Sequence, residues 1–256
     1  MIRMKYLAAL QQKKLFTLQD AEQLTGNLMT AKTLLQSYKK AGYIISIRRN
    51  LYAAVDLASG EPLANRYEIG SSVNHGAFIS HHSALEYHGV ANQVFYTVTV
   101  SSADRFTEFE FGGITYEQYA PKIMSGVIAP PRMPLVSVTD IDQTVIDCFY
   151  DIPRAGGLEE LLEALRLIPA LHEEALLNYL EEYNQIYLWQ KAGFVLQHFA
   201  SDFNLSTHFF EICKSKIHER KKHLTDFGET VYYPEWKLYA PKNLLSILND
   251  GGDTLV

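Results

Sequence analysis

The sequence predicts an α+β protein, with an N-terminal winged helix-turn-helix followed by a mixed α+β domain ending in a helical region. Three observations predict it. The hydrophobic period changes from helical to alternating within the first 55 residues, and strand-like segments after Val94 give way to amphipathic helices beyond "PRAGG". Charge is the third. Residues 1–55 hold nine Lys and Arg against two acids, Asp20 and Glu22, a net +7; residues 56–256 hold fourteen against twenty-seven, a net −13. Such polarity fits a small module that meets a polyanion, joined to a body that does not. With 256 residues, 47% of them hydrophobic, the chain can bury two cores. Domains are expected at 1–58 and 59–256, the second with its helical part over about 155–222.

Within "MIRMKYLAALQQKK" Ile2, Tyr6, Ala9 and Leu10 recur at helical spacing. In "TLQDAEQLTG" Thr17 and Asp20 form a capping pattern, Ala21 and Leu24 turn inward, and Gly26 stops the helix. A third helix, Leu28 to Lys40, places Leu28, Ala31, Leu34, Leu35 and Tyr38 on one face and ends at Gly42. Opposite them lie Thr30, Lys32, Thr33, Gln36, Lys39 and Lys40. "YIISIRRNLYAAV" then reads as a hairpin turning at Arg48, Arg49 and Asn50. A helix of this kind fits the major groove, where Lys, Thr and Gln meet base edges and phosphates. Arg48 and Arg49 on a wing tip suit the DNA backbone or the minor groove. These eight residues are the expected DNA-binding set.

"DLASGEPLAN" reads as a connection, "RYEIGSSV" as a short helix and "AFI" as a strand. "ISHHSALEYHG" concentrates three histidines, on a helix expected to start after Ser80 and stop at Gly89. His81 and His88 are seven apart, about 10 Å along a helix, too far to share an ion easily. Only His82 and Glu86 have ligand spacing, and no H-E-x-x-H or cysteine pair supplies further ligands, so capping and packing are the expected roles. "VFYTVTVS" is a strand. "RFTEFEF" and "ITYEQYA" form a hairpin about Gly112-Gly113, with Glu108 and Glu110 on its solvated face.

"TDIDQTVIDCFYDI" is a helix capped by Thr139 or Asp140 with Ile141, Val145, Ile146 and Phe149 inward. Its acids Asp140 and Asp142 suit a positive helix pole, Asp147 has no such explanation, and no second acid and lysine follow in a nuclease pattern. Four further helices follow. The basic run "KSKIHERKKH" reads as a solvated helix end, "YYPEWKLYAP" as an extended arm, and "NDGGDTLV" as a frayed tail. Cys148 and Cys213 are far apart in apolar segments, which fits a reducing cytoplasm rather than a disulfide framework or a cysteine zinc site. No apolar signal region or membrane-length run occurs, so the expectation is a soluble, unprocessed, cytoplasmic protein with no cofactor or metal. A metal-dependent enzyme using His82, Glu86, Asp140 or Asp147, and a solitary regulator whose body binds a protein or ligand, are the alternatives.

"RRNLYAAVD", "GEPLANRYEI", "FISHHSALEYHGVANQVFYTVTVSS", "RFTEFEFGGITY", "VTDIDQTVIDC" and "GGLEELLEALRLIP" together resemble the AbiEi family of type IV antitoxins. The resemblance spans most of the chain and is clearest at the wing, the S-H-H-S-A-L helix and the "TDIDQTVID" helix. It implies a winged helix that binds inverted repeats in its own promoter as a dimer or cooperative pair. It also implies a body that counteracts a nucleotidyltransferase-like toxin without a stable complex, and no enzyme activity. Asn50 departs from the family pattern, standing where such wings usually have Gly, and implies a looser turn or a left-handed Asn.

Overall fold

The computed structural model describes residues 4–218, 220–225 and 229–247 and is α+β, built as two compact units. The first comprises Met1–Ile79, Tyr96–Ala120 and Ala129–Ser137. It begins with α1 (Leu7–Lys13), β1 (Leu15–Phe16), α2 (Leu18–Thr25) and α3 (Leu28–Lys40). The antiparallel pair β2 (Ile44–Arg48) and β3 (Leu51–Ala54) follows, and β1 completes a sheet of order β1-β3-β2. Local chemistry explains both ends of α2 and the start of α3. Thr17 Oγ1 accepts the Asp20 N–H at 3.2 Å while the Asp20 carboxylate accepts the Thr17 N–H at 2.8 Å, a reciprocal cap on α2. Gly26 turns left-handed with φ 73°, and Asn27 then caps α3 by accepting the Thr30 N–H at 3.0 Å.

Leu10, Phe16, Ala21, Ala31, Leu35 and Tyr38 anchor a core of this module's own. Three expectations change. Ile2 lies outside the described residues, Leu7 is buried where Ala9 is only partly so, and Leu28 stands in solvent instead of on the inner face. Residue 58 falls just beyond this core, yet the first unit also takes in the next helix and sheet. These are α4 (Arg66–Ser71), β4 (Phe78–Ile79), β5 (Thr97–Ser101), β6 (Phe109–Phe111) and β7 (Ile114–Tyr119). The strands run in the order β6-β7-β5-β4, with β5 and β7 parallel and the other neighbours antiparallel. Gly112 and Gly113 take φ of 60° and 75°, as a two-residue hairpin turn requires.

The second unit comprises Ser80–Phe95, Pro121–Ile128 and Val138–Val256. It contains α5 (His81–Tyr87), the pair β8 (Val127–Ile128) and β9 (Val138–Thr139), and α6 (Ile141–Tyr150). Then come α7 (Leu158–Leu167), α8 (Glu173–Tyr183), α9 (Ile186–Leu196) and α10 (Thr207–Ser215). Their apolar faces meet around Val145, Phe149, Leu161, Leu176, Phe194 and Phe209. The segment expected as an extended arm is instead a hairpin of β11 (Val231–Tyr233) and β12 (Leu238–Ala240), with β10 (Lys222–His223) parallel to β12. The expected frayed tail, 249–256, lies outside the described residues.

Trp236, between β11 and β12, is 1% exposed and lies against Gly193 of α9. A Cβ on Gly193 would stand 2.2 Å from the indole Cζ3. Gly193→Ala therefore displaces the indole from a packed core and destabilises by about 1–3 kcal/mol, read as a lower urea midpoint. A midpoint equal to that of the parent protein would refute this packing.

Candidate nucleic-acid interface

All six positions expected on the outer face of α3 are exposed: Thr30, Lys32, Thr33, Gln36, Lys39 and Lys40. Lys32, Gln36 and Lys39 line a cleft of about 330 Å³ together with Ser46 of β2, over a floor that includes Leu35 and Tyr52. Two hydroxyl protons are used within the helix. Thr33 Oγ1 donates to the Met29 carbonyl at 2.9 Å and Ser37 Oγ to the Thr33 carbonyl at 2.8 Å. The side-chain nitrogens of Lys32, Gln36, Lys39 and Lys40 are not so committed.

The two arginines of the β2–β3 hairpin diverge. Arg49 is exposed at the turn. Arg48, expected beside it facing a duplex, is half-buried: its guanidinium lies 5.3 Å from the ring centroid of Phe106 and 5.1 Å from that of Phe109. Its Nη1 is buried with no hydrogen-bond partner among the described residues, and desolvation lowers its pKa. The strand register also shifts between Ser46 and Arg48, next to this contact. Asn50 does adopt a left-handed conformation, φ 62°, and its Oδ1 accepts the Leu18 N–H at 3.0 Å. That bond satisfies an orphan donor in the first turn of α2 and ties the turn to the helices, a link that nothing in the local sequence signals.

Two further basic residues of the module are neutralised. Lys13 pairs with Asp20, and Lys14 reaches Glu68, whose side chain is 3% exposed, at 2.8 Å. Lys32, Lys39, Lys40 and Arg49 form no ion pair among the described residues. Four cations thus stand on α3 and the adjacent turn without an internal counter-charge.

The second unit uses its titratable groups differently. His82 Nε2 lies 3.1 Å from a Glu160 oxygen and its ring stacks on Phe95 with centroids 3.8 Å apart. Glu86 spends its carboxylate on the Phe95 N–H at 2.7 Å and stands 3.9 Å from His82. Burial pushes His81 down to about 3, with the Arg154 charge adding to it, so the ring is neutral at pH 7. Ser80 occupies the N-cap position of α5, but its hydroxyl meets His81 Nδ1 at 2.9 Å instead of capping.

Asp140 caps α6 through the Gln143 N–H at 2.8 Å and accepts the Tyr179 hydroxyl at 2.5 Å. Asp142 takes both the backbone N–H of His172, at 2.7 Å, and its Nδ1, at 2.8 Å, which raises the pKa of His172. Asp147 is buried, accepts the Tyr183 hydroxyl, and is pushed up to about 7 by desolvation. Each acid has its own partner, and among the described residues no three His, Cys, Asp or Glu side chains are grouped to hold a metal ion.

In the basic run, Lys214 and Lys216 pair with Glu235 and Glu181, both at 2.7 Å. Lys221 lies over Tyr232 at 4.7 Å. These contacts suit a solvated surface on which two of the five Lys and Arg side chains pair with an acid. No helix is long and apolar enough to cross a membrane among the described residues.

Fold and surface thus define an α+β protein whose N-terminal helical module exposes a cluster of unpaired cations. Among solved structures the chain is similar to the RV2827C protein from Mycobacterium tuberculosis. The likeness has a TM-score of 0.64 over 97% of this chain and 94% of that one, at 15% identity. At this identity the likeness speaks for the fold alone. No family model and no curated protein sequence matches the chain.

Proposed function

We propose that the N-terminal module is a winged helix-turn-helix that binds duplex DNA, and that the chain is an autoregulating repressor and type IV antitoxin. The observation that carries the DNA-binding part is the set of four exposed, unpaired cations on α3 and the β2–β3 turn, beside Thr30, Thr33 and Gln36. α2 and α3 are joined by a glycine turn and a capped start, as in a helix-turn-helix, with α3 as the reading helix and the hairpin as the wing. Lys32, Lys39, Lys40 and Arg49 hold phosphates and fix register, while Gln36 offers the paired donor and acceptor that suit an adenine edge. The resemblance to AbiEi antitoxins supports the rest: inverted repeats in the chain's own promoter bound by two copies, and a nucleotidyltransferase-like toxin countered without a stable complex. In this reading the second unit holds no catalytic group.

Fluorescence anisotropy on a duplex from the region upstream of its own reading frame tests the first part. Arg49→Ala weakens binding a few-fold and lowers the salt slope by about 0.9, whereas Arg48→Met, which keeps an apolar stem against Phe106 and Phe109, leaves the slope unchanged. Binding insensitive to both salt and Arg49 would overturn the reading. Rescue of growth on co-expression with an adjacent nucleotidyltransferase tests the second part, and persistent arrest despite soluble protein would refute it.

A further inference from the structure

α3 opens with two large apolar side chains in solvent, Leu28 at 38% and Met29 at 68% exposure. The inner face of the helix is already complete with Ala31, Leu34, Leu35 and Tyr38, so neither residue is needed for the core. Met29 lies four residues before Thr33 and seven before Gln36, which puts the three on one stripe of the helix. Lys32, Lys39 and Lys40 share this outer face and form no ion pair among the described residues. An apolar side chain set among unpaired cations matches a polyanion with apolar groups on its surface. In the DNA major groove the thymine 5-methyl is such a group.

The geometry points to Met29 as a base-reading residue whose thioether side chain packs on a thymine methyl in the major groove. This rests on the DNA-binding reading and adds a sequence preference to it. Methionine suits the task because its unbranched, polarizable chain adapts to the methyl without a fixed rotamer. Gln36, two turns further along α3, reads polar edges, and the lysines set affinity without setting sequence.

The test uses the full chain. Preferred duplexes are selected from a random pool, and each thymine is then replaced by deoxyuridine, which removes only the 5-methyl. Removing one buried methyl lowers affinity about 3- to 5-fold at one or two positions for the parent protein. Met29→Ala binds the thymine and uracil duplexes equally, while Met29→Leu keeps part of the difference. Because Met29 is exposed, the alanine variant is expected to fold, and an unchanged circular dichroism spectrum verifies it. Equal binding of uracil and thymine duplexes at every position by the parent protein overturns the inference. So does an unchanged preference in Met29→Ala, the outcome if this face serves a protein partner. Failure to select any duplex refutes the DNA-binding reading itself, a result distinct from either.

Discussion

The proposed DNA-binding role predicts that replacing Lys32, Lys39 and Arg49 together by alanine lowers affinity for duplex DNA on the order of 100-fold at about 0.15 M salt. Each side chain is exposed and forms no ion pair among the described residues, so each is free to displace a condensed counter-ion from a phosphate. Losing three such contacts reduces the slope of log K against log salt by about 2.7, and the loss is uniform across sequences because phosphates carry no sequence information. The contrast is Lys13 and Lys14. Their partners Asp20 and Glu68 already neutralise them, so alanine there changes the salt slope little. Lys14→Ala instead leaves the buried Glu68 carboxylate without its cation and appears as lost stability. Anisotropy titrations at four salt concentrations separate the two classes. A triple variant with the parent's slope would remove α3 and the β2–β3 turn from the proposed interface.

Asp147→Asn changes how stability depends on pH, by up to ~4 kcal/mol between pH 4 and pH 8. Burial pushes the Asp147 carboxyl up to about 7, against the ordinary 3.8; hydrogen bonds from Tyr183 and Gln143 oppose this, while the nearby Asp140 charge adds to it. The folded protein therefore holds a proton that the unfolded chain has released. This contribution is complete below about pH 4 and is lost progressively as pH rises through 7. Asparagine still accepts the Tyr183 hydroxyl and does not titrate, so the variant gains on the parent as pH rises. His81 acts in the opposite direction. Its folded value of about 3 lies below the ordinary 6.5, so its contribution is present above about 6.5 and lost as pH falls. The two nearly cancel in the parent between about pH 4 and 6.5. Asp147→Asn unmasks the histidine, and its stability rises with pH across that window. Urea midpoints at pH 5, 6, 7 and 8 measure both effects, and parallel profiles for parent and variant would show that Asp147 is ionised in the folded state.

Much of the helical architecture was legible because its signals are local. Thr17 with Asp20 and the 3.6-residue spacing of Ala31, Leu34, Leu35 and Tyr38 act over a single turn or along one helix, and those elements appear where expected. The Gly112-Gly113 hairpin was equally readable, since two consecutive positive φ angles strongly favour glycine. Leu28 was misplaced because periodicity cannot register that the inner face was already filled. Trp236 was placed in an extended arm because its partner, Gly193, lies 43 residues away. The acids of α6 show the same limit: His172 and Tyr183, not the helix pole alone, decide what Asp142 and Asp147 do.

Composition and pattern by themselves determined a cationic three-helix module with a basic hairpin, because charge and hydrophobic period are properties of neighbouring residues. Only the tertiary structure decided which cations remain free. Lys13, Lys14 and Arg48 are engaged by Asp20, Glu68 and a pair of phenylalanines, while Lys32, Lys39, Lys40 and Arg49 are left to solvent. The physical reason is range. A side chain's availability depends on what the folded chain brings within a few ångströms of it, and Glu68, Phe106 and Phe109 lie between 54 and 61 residues from the groups they engage.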